Sequence, residues 1–197
     1  MRRVDRLLAV LGLACCCTLG TPAASAAEDK AAIRDALRQM REETLDQLYK
    51  EVPHARTQVR SAAGYGVFGA AGVHILFVGG SGGRGVVRDN LNGRDTYMRM
   101  SAVAGGLGIG FEDTRTVLIF KKRAVLKEFL DKGWTFGGET AATATAEGRG
   151  SEVGEIESPQ GITIYQLTKT GLMVKGSVQG IKYWKDDQIN GALDRGW

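Results

Sequence analysis

Residues 64–88 read GYGVFGAAGVHILFVGGSGGRGVVR, in which a glycine interrupts the strand-forming apolar residues every few positions. Gly80, Gly82 and Gly85 match the spacing G-x-G-x-x-G, which cradles a phosphate in dinucleotide-binding proteins. Such a motif has to open a helix, whereas residues 86–90 are β-like and lead into a turn. The stretch therefore predicts strands whose backbones approach closely, and it argues against a nucleotide site.

The residues before this stretch predict two helices. Apolar residues recur at spacings of three and four over residues 29–51, with Asp29 placed to cap the first turn, and a shorter helix is predicted over residues 54–63. Opposite its apolar stripe, the first helix is predicted to have a solvated surface of mixed charge. This surface consists of Arg34, Arg38, Arg41, Glu42, Glu43 and Lys50.

Beyond residue 64 the apolar spacing becomes that of strands, interrupted by one interior helix over residues 122–132 that stops at Gly133. Strands are predicted over residues 65–68, 73–78, 85–88, 96–102, 107–112, 116–120, 134–138, 140–146, 161–168 and 171–180, with turns at 79–83 and 90–93 and a hairpin at 169–170 whose two strands bury one face. Most connections are too short for crossover helices. We therefore expect an α+β fold: a mostly antiparallel, glycine-rich β-sheet or sandwich with an N-terminal amphipathic helical segment and one interior helix.

Residues 1–27 have the pattern of a signal peptide. Basic residues precede an apolar run over residues 7–20, and residues 24–26, Ala-Ser-Ala, supply the small-x-small pattern of a cleavage site. Removal of this segment, which holds three arginines and one aspartate, leaves residues 28–197 as a single domain and lowers the formal net charge from +4 to +2. We expect an exported protein, periplasmic or secreted and with membrane association open, that has no overall attraction to nucleic acid.

Two alternatives to simple cleavage stay open at this end of the chain. The apolar run could be a membrane anchor, although a spanning helix needs about 20 apolar residues. The sequence Leu-Ala-Cys-Cys at residues 13–16 resembles a lipobox, so acylation of a cysteine is the other. All three cysteines lie at residues 15–17, so no disulfide or cysteine metal site is expected in residues 28–197.

Catalytic chemistry has few candidates in this sequence. The chain contains two histidines, His54 on the short helix and His74 in an apolar strand, and nothing places His74 near a hydroxyl such as that of Ser101. Two histidines without cysteines also make a zinc site improbable. We expect no catalytic residue, metal or cofactor, with hydrolysis based on His74 as a minor alternative.

Positive charge gathers around the interior helix, next to an aromatic side chain. We predict an anionic-lipid site there, because cations attract phosphate and a tryptophan ring settles at a membrane interface. The predicted site consists of Lys121, Lys122, Arg123, Lys127, Lys132 and Trp134, joined by Arg84 and Arg88 from the upstream strands. An ordinary solvated helix face is the alternative, since Glu128 and Asp131 lie in the same turns.

An ordered series of motifs resembles the SYLF domain family. The motifs are GYGVF, GGSGGRGVV, VLIF followed by KKRAVLKEFLDKGWTFGGETAATA, an EGRG loop and GLMVKGSVQG, and together they span residues 31–190. The resemblance implies a small α+β domain without established enzymatic activity that binds phosphoinositides in eukaryotes and actin in some fungal members. It also implies that a basic amphipathic segment at the start of the domain, here residues 31–60, contributes to lipid binding.

These observations favour an exported, non-enzymatic SYLF-like domain that binds anionic phospholipid or a membrane surface. The alternative is an envelope module that binds another protein through the exposed part of its sheet or its N-terminal helix.

The signal-peptide interpretation predicts the N-terminus of the protein recovered after export. Mass spectrometry should give a chain that begins at Ala27 or Glu28, since the signal peptidase site requires small residues just before the cut. A chain that keeps residues 1–27, or one that starts at a lipid-modified cysteine, would contradict it.

Overall fold

The computed structural model describes residues 22–137, 155–158, 160–168, 171–172 and 178–191. Its helices are α1 (Pro22–Glu51), α2 (Ala55–Ser61), α3 (Arg123–Lys132) and α4 (Asp187–Asn190). Its strands are β1 (Gly64–Asp89), β2 (Asp95–Phe120), β3 (Trp134–Gly137), β4 (Glu155–Glu157), β5 (Ile162–Thr168), β6 (Gly171–Leu172) and β7 (Val178–Lys185). None of these helices combines the length and apolar character needed to cross a bilayer.

All seven strands belong to one antiparallel sheet, as predicted. Its order is β3-β7-β2-β5-β4, with β1 paired to β2 and β6 paired to β5. The long strand β2 pairs with β7 through residues 98–104 and with β5 through residues 114–120, so its two ends belong to different parts of the sheet. The α+β class predicted from the sequence is confirmed.

The strands β1 and β2 form one long ribbon, which corrects the six short strands predicted for residues 65–120. Pairing runs from Gly64↔Phe120 to Arg88↔Asp95 with one register shift between Leu76 and Val78. The predicted turn at residues 90–93 is present, but residues 79–83 stay in the strand and form no turn. Within this part of the strand, Gly83 is in close contact with the backbone of Gly69, whereas a Cβ at Gly80 or Gly82 would meet nothing within 4 Å.

The two ends of β1 lie against each other. A Cβ atom added at Gly64 would collide with the carbonyl oxygen of Arg88, and one added at Gly83 would collide with Gly69 and lie 2.8 Å from the Cα of Ala70. The ribbon therefore folds back on itself between these ends while β1 stays paired with β2. Close backbone contact at glycine, predicted from the sequence, is confirmed at Gly64, whereas Gly83 lies in the segment that was predicted to form a turn.

Helices cover both faces of the sheet. On one face, α3 packs on side chains such as Phe68 and Phe120. On the other face, α1 and α2 pack on Val67 and Val117. Successive side chains of a strand point to opposite faces of the sheet, so one strand contributes to both cores. Neighbours such as Val117 and Leu118 are accordingly both buried.

This two-sided burial corrects the prediction for the hairpin at residues 161–180. Ile162, Thr163, Ile164 and Tyr165 are all buried, so both faces of β5 are covered instead of one. The start of the hairpin is confirmed by the pairing of β5 with β6, the turn residues 169–170 lie outside the described residues, and residues 178–185 pair with β2 and β3, not with β5. The strand predicted over residues 140–146 lies outside the described residues.

The polar side of α1 also differs from its prediction. The helix begins at Pro22, so Asp29 lies inside it and is no cap. Arg41 is buried with Leu37, Thr44 and Leu48 on the side that faces the sheet. The mixed charge of this face predicts a solvated surface, but Asp95 of β2 neutralises the charge of Arg41 and allows its burial.

The packing of the ribbon ends predicts opposite effects for two glycines of β1. Gly83→Ala should lower the free energy of unfolding by about 1–3 kcal/mol, because its methyl group must displace backbone. Gly80→Ala is the matched control: a Cβ there meets nothing within 4 Å, and removal of a strand glycine stabilises by up to about 0.5–1 kcal/mol. Urea unfolding measures both, and equal losses in the two variants would contradict the close packing.

Candidate functional site

Helix α3 is fixed by its apolar side. Leu126, Phe129 and Leu130 are buried, and each apolar side chain of this size contributes about 1.5–3 kcal/mol by burial. The Phe129 ring packs on that of Phe120 with centroids 4.9 Å apart. Gly133, whose φ of 72° suits glycine, ends the helix where its Cβ would strike the backbone of Tyr183.

A cavity of about 180 Å³ opens beside this helix, where its buried and exposed sides meet. Leu126 and Leu130 make it apolar, and charged side chains form the rest of its wall. Its lining consists of Asp89, Arg123, Leu126, Lys127, Leu130 and Asp131. We call this cavity, with its exposed cations Arg123 and Lys127 and with the exposed Lys122 that precedes the helix, the α3 surface.

Asp89 joins α3 to the turn between β1 and β2. One oxygen of its buried carboxylate, Oδ1, accepts a hydrogen bond from the guanidinium of Arg123 and another from the backbone N–H of Leu91. Burial raises the pKa of Asp89, but these hydrogen bonds outweigh burial and hold the pKa below its usual value. Arg123 is therefore oriented by an ionised partner at neutral pH.

The lysines around α3 divide into paired and unpaired groups. Lys121 is paired with Glu157, and Lys132 with Glu128 at 3.2 Å on the same helix. Lys122 and Lys127 are exposed, and neither has a carboxylate partner among the described residues. The structure thus narrows the predicted cluster to two lysines whose charge is available to a ligand.

Trp134 does not lie at an outer surface, where the predicted lipid site requires it. Its half-buried ring stacks on Tyr183, with centroids 6.3 Å apart and planes inclined by 15°, and meets Phe129 edge-on. The ring therefore belongs to the core around α3, and the structure places it beneath the basic helix instead of at an outer surface.

Arg84 and Arg88 do not join the α3 surface. Arg84 donates to the buried carboxylate of Asp186 at 3.1 Å, and Arg88 lies 3.0 Å from Asp95, on the face of the sheet that α1 covers. The prediction that grouped them with α3 is therefore wrong in its geometry, because successive side chains of β1 point to opposite faces.

The basic residues at the start of the domain are also held internally. Arg41 donates to Asp95 at 2.9 Å, and Arg34 donates from Nε to the carbonyl oxygen of Ile189 at 2.9 Å. Arg38 is more exposed and contacts Asp35 and Asp95. The segment 31–60 thus uses much of its positive charge to fasten α1 to the sheet and to α4.

A polar cluster that the sequence did not reveal lies where α2 meets the edge of the sheet. Tyr165 donates its hydroxyl to Gln58 at 2.7 Å, and His54 lies 3.4 Å from both that hydroxyl and Glu155. Burial, with a smaller effect of Glu155, raises the pKa of Tyr165, so the phenol stays protonated. The cluster contains no serine or cysteine that could serve as a nucleophile.

The remaining chemical candidates do not converge in the described part of the chain. In the ribbon, His74 pairs with Gly110 whereas Ser101 pairs with Gly82, which places them at separate positions along β1 and β2. No three potential metal ligands come together among the described residues. Among the described residues, the α3 surface combines a cavity with exposed cations.

The ion pair beneath the α3 surface predicts a pH-dependent contribution to stability. Asp89→Asn should lower the free energy of unfolding at neutral pH by about 1–3 kcal/mol, because a buried charge-assisted hydrogen bond is lost. The folded-state pKa of Asp89 is depressed, so the advantage of the wild type is complete above about pH 4, the unfolded value, and disappears as pH falls through the folded value. Urea unfolding across this range measures it, and a difference independent of pH would contradict the ion pair.

Comparisons with known proteins agree with the motifs of the sequence. Residues 101–193, which include all of α3, match the Ysc84 family, described as Las17-binding protein actin regulator. The chain is also 29% identical over 158 residues to Beta cell expansion factor A of Aeromonas veronii, across 79% of this chain and 58% of that protein. The chain thus spans somewhat more than half the length of this relative. The resemblance predicted from the motifs is confirmed over residues 101–193, which match the model of the Ysc84, or SYLF, family.

Proposed function

We propose that the protein binds anionic phospholipid through the α3 surface and has no enzymatic activity of its own. The observation that carries this proposal is the pair of exposed lysines, Lys122 and Lys127, without carboxylate partners in the described structure. A phosphate that approaches them gains charge-assisted hydrogen bonds without displacing an internal ion pair. Lys121 and Lys132 would have to release Glu157 and Glu128 first.

The cavity beside these lysines suits the rest of a phospholipid headgroup. Leu126 and Leu130 provide apolar contact below the charged rim, and Arg123 is held in place by Asp89. A lipid phosphate at the rim could therefore leave its glycerol region against apolar side chains. Cations on an amphipathic helix also attract an anionic membrane through its surface potential.

Similarity to the Ysc84, or SYLF, family also supports lipid binding. The SYLF resemblance implies lipid binding in eukaryotic members, and the family description names an actin regulator. We further propose that residues 1–27 direct export, as their pattern predicts. An exported domain would not meet actin, so lipid is the ligand class that we carry over from the family.

Charge reversal on α3 tests the proposal. Lys127→Glu and Lys122→Glu should each weaken co-sedimentation with anionic phosphatidylserine-containing vesicles several-fold, because each cation near such a surface contributes about 1 kcal/mol. The matched control is Lys50→Glu, an exposed lysine in the last turn of α1 with the same change of charge. The control should keep most of the binding.

Salt and lipid composition complete this test. Binding should be strongest at low salt, where screening is weakest, and should be lost with neutral phosphatidylcholine vesicles. Absence of binding to anionic vesicles at low salt would contradict the proposed function. Equal losses in the α3 variants and in Lys50→Glu would contradict the site and leave only a general effect of charge.

A further inference from the structure

The sheet face opposite α3 is open over part of its area. Three strands form a row of directly paired residues across it, in which Ser101 of β2 pairs with Lys182 of β7 and Lys182 pairs with Thr135 of β3. All three are exposed. The row continues into β1 at Gly82, where a Cβ would meet nothing within 4 Å. No helix of the described structure covers this row.

A second row beside the first carries more positive charge. In this row, Arg84 of β1 pairs with Arg99 of β2, which in turn pairs with Trp184 of β7. Directly opposed like charges destabilise a sheet, and Arg84 relieves this by its ion pair with Asp186. Arg99 is exposed and lies over the Trp184 ring at 5.9 Å. We call the two rows together the open sheet face.

Two cations of the open sheet face have no carboxylate partner in the described structure, Arg99 and Lys182. They occupy diagonal positions on neighbouring strands, since Arg99 pairs with Trp184, two residues from Lys182. Such diagonal neighbours are about 7–8 Å apart. An extended polypeptide presents alternate side chains about 6.6–6.8 Å apart on one side, which matches this spacing.

We propose that the open sheet face binds an extended, acidic polypeptide segment whose alternate carboxylates pair with Arg99 and Lys182. The guanidinium of Arg99 suits a carboxylate, which it can hold with two parallel hydrogen bonds. Ser101, which pairs with Lys182 on the side of Arg99, and Thr135, which pairs with Lys182 on the other side, are also exposed and offer hydroxyl groups to the segment.

The composition of this face favours a polypeptide over the other anionic partners. A membrane-binding surface inserts apolar side chains at the interface, and the exposed residues of these rows are polar or charged. Surfaces for single-stranded nucleic acid stack bases on free aromatic rings, whereas Trp184 is half-buried and has Arg99 over its ring.

The open sheet face and the α3 surface lie on opposite sides of the sheet. Along β7, Tyr183 joins the core under α3, and its neighbours Lys182 and Trp184 point the other way. Binding at the open sheet face is therefore independent of the proposed lipid site. Each site can fail its test without affecting the result for the other.

Fluorescence anisotropy with a labelled peptide of alternating glutamate and threonine tests the proposal on the full chain. The wild type should bind this peptide at low salt and should not bind the same peptide with glutamine in place of glutamate. Arg99→Glu and Lys182→Glu should weaken binding about tenfold or more, because each reverses a charge that contacts the ligand. Lys127→Glu, on the α3 surface, should leave peptide binding unchanged.

Lys182→Gln, a milder change at the same exposed position, guards against misfolding and should weaken binding in the same direction. Equal binding of the glutamate and glutamine peptides would overturn the proposal, and so would equal loss in Lys127→Glu and Lys182→Glu. Loss of binding to anionic vesicles or to a thymidine oligonucleotide in Lys182→Glu, with peptide binding retained, would assign the face to that other partner and would also overturn it.

Discussion

The contact between the two ends of β1 determines the arrangement of the other elements. Gly64 and Gly83 allow these ends to lie against each other, which brings both halves of the β1–β2 ribbon into one sheet. One half of β2 then pairs with β5, and the other half pairs with β7. The faces made this way are wide enough for helices on both sides. A side chain at Gly83 would push against Gly69 and Ala70 and weaken the contact between these ends.

Several arginines of this protein form ion pairs that stabilise the fold, whereas several lysines stay exposed at the surface. The carboxylates of Asp89, Asp95 and Asp186, all in or near the sheet, take arginine partners. The planar guanidinium suits such partly buried pairs, whereas an ammonium group is more strongly hydrated. Lys122, Lys127 and Lys182 accordingly stay exposed. Exposed cations without a carboxylate partner in the described structure include Lys122 and Lys127 beside α3 and, on the opposite face of the sheet, Arg99 and Lys182.

Local patterns were sufficient to predict the helices, the turn at residues 90–93 and the antiparallel pairing. The interior helix was predicted within one residue, because Val125, Leu126 and Phe129 repeat at helical spacing and Gly133 stops the helix. The continuity of β1 and β2 could not be predicted, since Gly79 and Gly80 have the same local composition in a turn as in a closely packed strand. Which glycines contact backbone depends on partners far away in the sequence.

The site was predictable only in part, for the same reason. The sequence located the basic helix, but it could not show that Asp89 holds Arg123 or that Arg84 lies on the opposite face with Asp186. Burial of Arg41 was also hidden, because Asp95 is distant in sequence and supplies the compensating charge. The pairing of strands across the sheet determines which cations lie next to a carboxylate, and this pairing cannot be predicted from composition.

We propose that α3 faces the lipid while the open sheet face points away from it. Residues 28–197 contain no cysteine, so a single cysteine can carry an environment-sensitive fluorophore at Glu128 on α3 or at Ser101 on the open sheet face. Addition of anionic vesicles should shift the emission of the fluorophore at position 128 and leave that at position 101 unchanged. A shift at position 101 without one at position 128 would contradict the account.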